Sequence, residues 1–122
     1  MTYDKNNVFA KILRGEIPCE KIYEDEYVLS FYDVNPQRKI HALIIPKGEY
    51  VNLDDFISKA SEKEIVGFIR GIGTVAKKIG VSEIVKGKGY RSLVNVGHDG
   101  GQEVSHLHFH ILGGEKVGKM VT

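Results

Sequence analysis

Three histidines near the end of the chain, His106, His108 and His110, alternate with Leu107, Phe109 and Ile111. In a strand, successive side chains point to opposite faces, so the imidazoles share one face and the apolar residues the other. The apolar face can be core. Packing does not explain the imidazole face, because buried titratable rings each need a polar partner. Same-face neighbours stand roughly 6.5–7 Å apart along a strand, a spacing that suits adjacent positions along an extended substrate, such as a phosphate and its leaving group. A neutral imidazole is a nucleophile near neutral pH, and its neighbours set its tautomer. The residues alone also allow structural histidines, or a His-x-His metal site completed by His41, His98 or Cys19. No Cys-x-x-Cys or His-Glu-x-x-His pattern accompanies them.

The rest of the chain bounds what such a cluster can serve. Its 122 residues suffice for a single domain, 1–122, with one core. The content is 42% hydrophobic and 27% charged, as in ordinary globular chains. A net charge of +1 with mixed signs argues against a broad nucleic-acid surface. A small anionic ligand, needing only local donors, is still allowed. No apolar run approaches the roughly 20 residues of a membrane span. Residues 1–7 lack the apolar region of a signal peptide. One cysteine, Cys19, makes no internal disulfide, which fits a reducing, cytoplasmic setting.

The elements that must position the histidines can be read in order. Phe9, Ile12 and Leu13 fall on one face of a short helix over residues 8–14, ended by Gly15. Lys21–Tyr23 and Tyr27–Tyr32 read as strands around a Glu24-Asp25-Glu26 turn. Asp33-Val34-Asn35-Pro36 is a turn in which Asp33 either caps the backbone or accepts a ribose diol. Ile40–Pro46 is a nearly continuous apolar run, predicting a central strand covered on both faces and carrying His41. Asp54-Asp55 can start a helical turn. Ser61 and Glu64 form a capping box for a helix whose inner face is predicted as Ile65, Phe68, Ile69, Ile72, Val75, Ala76 and Ile79. Gly67, Gly71 and Gly73 inside it suggest close backbone approach. Lys86-Gly87-Lys88-Gly89 lacks Walker spacing and reads as a turn. Tyr90–Val96 is a strand predicted to pair antiparallel with Leu107–Gly113, bringing Asn95 near the histidines across the loop 97–102.

These residues resemble a known family. His106-Leu107-His108-Phe109-His110-Ile111-Leu112 is similar to the His-φ-His-φ-His-φ-φ signature (φ apolar) of the histidine triad (HIT) proteins. Phe9-Ala10-Lys11-Ile12, Glu16-Ile17-Pro18, Phe31 to Gln37, His41, Ile45-Pro46-Lys47, Asn95, Asp99 to Gln102 and Leu112-Gly113-Gly114 sit where the Hint branch has them. The resemblance implies an α+β fold: a five-stranded antiparallel sheet with one long and one short helix, dimerising into a continuous ten-stranded sheet. It implies hydrolysis of purine nucleoside phosphoramidates to AMP or GMP, with no metal and no cofactor. By the same resemblance His108 is the nucleophile, His110 contacts the phosphate, and His106 and His41 complete the histidine network. Asp33 matches the ribose acceptor, and Phe9, Ile12, Phe31 and Val34 match the base and sugar pocket. Asn95 and the Gly101-Gln102 backbone match phosphate contacts.

Glu103 stands where animal members carry a serine near the leaving group and bacterial members often carry a glutamate, and the tail 115–122 lacks the Trp-Pro-Pro ending of animal members. Neither the leaving group nor tail-dependent substrate choice carries over. Two alternatives stay open: a dinucleoside polyphosphate hydrolase, disfavoured by Gly113-Gly114, and a nucleotide- or zinc-binding regulatory module without physiological catalysis.

Overall fold

The computed structural model describes residues 1–121. Five strands form one antiparallel sheet: β1 (Lys21–Glu24), β2 (Val28–Tyr32), β3 (Ile40–Pro46), β4 (Arg91–Val94) and β5 (Phe109–Gly113), in the order β1-β2-β3-β5-β4. The long apolar run is the central strand, paired with β2 and β5, with His41 through Pro46 buried. Helix α1 (Val8–Leu13) covers one face of the sheet, and α2 (Leu53–Lys59) and α3 (Glu62–Lys78) cover the other. Asn52 caps α2, and among the described residues two short α-helices, α1 and α2, stand beside the long α3.

Strand alternation sorts the core in two. Val28, Ala42, Ile44, Leu107 and Ile111 join Phe56, Phe68, Ile72, Val75 and Ala76 beneath α2 and α3. Leu29, Phe31, Leu43 and Ile45 join Phe9 on the α1 side. The capping box of Ser61 and Glu64 starts α3, and Gly80 follows its end at φ +79.

Four expectations need correction. Ile69 is 55% exposed, because the buried stripe of α3 runs through Phe68, Ile72, Val75 and Ala76. Gly73 approaches nothing, whereas a Cβ at Gly67 would lie 2.3 Å from the Tyr27 ring and one at Gly71 3.1 Å from Val28. Strand β4 is four residues long and leaves Tyr90, Asn95 and Val96 outside. Finally, β5 starts only at Phe109. Continuing its register with β3, in which Ile44 faces Phe109, places Pro46 opposite Leu107. Proline has no N–H to donate to the Leu107 carbonyl, the Pro46 carbonyl is taken by the His106 ring, and the Leu107 N–H turns to the Tyr50 carbonyl at 2.9 Å, so the ladder stops. His106 and His108 therefore precede the strand.

The two helix glycines carry opposite predictions. Gly67→Ala should lower the melting temperature, since the added methyl meets the Cγ and Cβ of Tyr27, not the free end of a flexible chain; overpacking costs about 1–3 kcal/mol. Gly73→Ala should raise it, by up to about 1 kcal/mol of helix propensity in open space. Thermal melts of the two variants check both signs, and a Gly67→Ala protein as stable as the parent would overturn the packing argument.

Candidate active site

Alternation along β3 and β5 builds the site. His41, Leu43 and Ile45 face α1, as do His110 and Leu112. Leu43 pairs with His110 and His41 with Leu112, so His41 and His110 are diagonal neighbours on one face. Their rings meet, with His41 Nε2 and His110 Nδ1 2.8 Å apart. His108 lies beside His110, ring centroids 5.2 Å apart. Phe9 of α1 packs edge-on against His108 at 4.9 Å and His106 at 6.4 Å. The three alternate histidines thus face the same side, although only His110 is in the strand.

The hydrogen bonds assign the protons. The Gln37 N–H donates to His41 Nδ1 at 3.0 Å, so neutral His41 carries its hydrogen on Nε2 and donates to His110 Nδ1. His110 then carries its hydrogen on Nε2, a buried atom with no partner. Asp33 Oδ2 lies 3.4 Å from His41 Nε2, while its Oδ1 caps the turn by accepting the Asn35 N–H. His108 donates Nδ1–H to the His106 carbonyl at 2.8 Å, leaving the lone pair on Nε2. His106 donates Nε2–H to the Pro46 carbonyl at 2.9 Å, and its Nδ1 accepts from the Tyr3 hydroxyl.

Burial holds all four imidazoles neutral. It pushes His106 and His110 from 6.5 down to about 4, helped for His110 by His108 and His41. His108 and His41 are lowered by the same cause, against the opposing pull of Asp33. The cluster therefore presents one unshared imidazole lone pair, on His108, and one unpaired N–H, on His110. Asp33, His41 and His110 also bring ligand-type atoms within 4.8 Å of one another. The 2.8 Å separation of the two nitrogens is that of a hydrogen bond.

Two adjoining cavities meet at Asp33, Glu103, His108 and His110. One, of about 390 Å³, is mainly apolar and is lined by Phe9, Ile12, Phe31 and Val34. Val34 is 90% exposed and forms its rim. The other, of about 240 Å³, is polar and is lined by His41, Asn95 and Gly101. Gln102 lines neither. Its amide instead ties the loop down, donating to the Val51 and Val104 carbonyls at 2.7 and 3.0 Å and accepting the Gly97 N–H. The Gly101 and Gln102 N–H groups are likewise used inside the loop, on the His98 and Gly97 carbonyls.

Sequence reasoning passed over Ile17, Pro18, Cys19, Leu43 and Val104 in the apolar cavity, and Asn35 and Gln37 in the polar one. The extended Ile17-Pro18 segment after α1 was a usable signal. Nothing in the sequence pointed to Tyr3.

Comparison with known proteins supplies the family. The HIT domain profile matches residues 14–117. An HIT-like protein of Azospirillum brasilense is 54% identical over 121 residues, covering 99% of this chain and 96% of its own. The purine nucleoside phosphoramidase of Escherichia coli strain K12 is 39% identical over 118 residues, covering 97% and 95%. A histidine triad protein from Clostridium difficile superposes with a TM-score of 0.82 at 41% identity, covering 97% of this chain and 98% of its own.

Proposed function

Because the chain belongs to the HIT domain family, whose solved members include hydrolases, we propose that it hydrolyses purine nucleoside phosphoramidates through a nucleotidyl-His108 intermediate. The observation that carries this reading is the single bare Nε2 of His108 at the junction of an apolar and a polar cavity, beside the unspent N–H of His110. Likeness to the Escherichia coli phosphoramidase supports the substrate class.

A flat purine fits among Phe9, Ile12 and Phe31, in a cavity walled by apolar groups with a few convergent polar ones. Asp33, at the end of β2, accepts the ribose hydroxyls. The α-phosphate lies over His108, with Asn95 and His110 on its oxygens. His108 Nε2 attacks phosphorus, the substrate's P–N bond breaks, and the leaving nitrogen takes up a proton from solvent. Water then attacks phosphorus, its bond to His108 Nε2 breaks, and the water gives up a proton to solvent, which releases the nucleotide and restores the neutral imidazole. Two displacements replace one harder step. The His110 N–H is already aimed by His41 and Gln37, so little reorganisation accompanies charge build-up on the phosphate oxygens. Glu103, exposed where the cavities join, faces the leaving group.

The reading includes a homodimer. Strand β4 is one of the sheet's two edges, and Ile84 and Val85, shortly before it, are exposed; pairing with a second copy would cover such an edge. No helix among the described residues is long and apolar enough to cross a membrane.

The test is AMP release from adenosine 5′-phosphoramidate by protein treated with a chelator. Turnover without metal supports the scheme. Turnover only after zinc is returned would favour a metal held by Asp33, His41 and His110. Tight AMP binding with no release from phosphoramidates or dinucleoside polyphosphates would favour the binding module.

A further inference from the structure

We propose that the Tyr3 hydroxyl positions the nucleophile, acting through His106 on His108. The inference rests on the reading of His108 as the attacking group. Tyr3 precedes α1 and lines neither cavity, so it is a positioning residue and touches no substrate.

The geometry makes the link. His106 is completely buried. Its Nε2–H is committed to the Pro46 carbonyl at 2.9 Å, which leaves Nδ1 an acceptor. The Tyr3 hydroxyl lies 2.5 Å from that nitrogen, and the rings meet edge-on with centroids 5.6 Å apart. Bonds at both nitrogens prevent the imidazole from turning without stranding a polar atom in the interior. The backbone carbonyl of the same residue receives His108 Nδ1–H, the contact that leaves His108 Nε2 bare. Position 106 lies outside β5, where the ladder has stopped at Pro46, so no strand pairing holds this carbonyl in place. The ring held between Pro46 and Tyr3 takes over that task. Without the hydroxyl, His106 gains a reason to rotate or change tautomer, its carbonyl shifts, and His108 loses its fixed tautomer.

Tyr3→Phe and Tyr3→Leu test this, with AMP release from adenosine 5′-phosphoramidate and ¹⁵N NMR of the labelled imidazoles. Tyr3→Phe keeps the ring and removes the hydroxyl. It should bind AMP normally, keep KM within about twofold and lose about tenfold to a hundredfold in kcat, as small misplacements of reacting groups do. The His106 Nδ1 resonance should move toward that of an unbonded nitrogen, and His108 should no longer show a single Nδ1–H tautomer. Tyr3→Leu should lose kcat to the same extent. Wild-type kcat with unchanged His108 resonances in Tyr3→Phe overturns the proposal. So does an active Tyr3→Phe beside an inactive Tyr3→Leu, which would assign the role to ring packing. A kcat loss that tracks a lower melting temperature and vanishes on cooling also overturns it. If the parent protein releases no AMP, the hydrolase reading fails, while the resonances still decide whether Tyr3 governs the His106 and His108 tautomers.

Discussion

His108→Ala should lower kcat for adenosine 5′-phosphoramidate by at least about 10⁴-fold, the scale on which removing a covalent nucleophile acts. AMP binding should stay within a few-fold, because the base cavity is formed by Phe9, Ile12 and Phe31. The loss is this large because no neighbour can substitute. Both nitrogens of His106 are taken, by Pro46 and Tyr3. Both nitrogens of His41 are taken, by Gln37 and His110. In His110, Nδ1 accepts from His41, and Nε2 carries the hydrogen. Single-turnover AMP release and calorimetric titration with AMP measure the two quantities. A variant that still turns over within tenfold of the parent would remove His108 from the chemistry. One that loses binding in parallel would show that the ring holds the nucleotide.

Acid should destabilise the protein in a window set by His106 and His110. Unfolded histidine titrates near 6.5, whereas burial lowers these two to about 4 in the fold. The unfolded chain therefore binds more protons between those values. The contribution to stability is complete above about pH 6.5 and is lost as pH falls toward about 4, with no further loss below. Each group accounts for at most about 3 kcal/mol, set against a total of about 5–15 kcal/mol for an ordinary domain. Glu24, held near 2 by Lys21 and Lys47, loses its ion pairs only at lower pH, so the windows separate. Urea melts at pH 7.5, 6, 5 and 4 should show a falling midpoint. A midpoint constant down to pH 4.5 would contradict neutral burial of the pair. Turnover should persist below pH 6.5, since burial also lowers His108 and keeps its lone pair available.

That His106, His108 and His110 share a face, that Ile40–Pro46 is the central strand and that Ser61 starts the long helix were legible over a few residues. Alternation, helical periodicity and capping operate at that range. The sequence also marked Pro46 as the end of β3, but not its consequence across the sheet, where the missing N–H and a carbonyl taken by the His106 ring stop β5 short of His108.

Sequence by itself determined the family, the order of the strands' residues and the imidazole face. Tertiary structure alone decided which imidazole is bare. That choice depends on the Gln37 N–H, the Pro46 carbonyl and the Tyr3 hydroxyl, which lies 103 positions from His106. It likewise made the Gln102 amide a tie between its loop and Val51 and turned Ile69 outward from the core. The physical reason is range. Periodicity and caps are settled by neighbours along the chain, whereas a proton's place on a buried ring is settled by whatever acceptor the fold brings within about 3 Å.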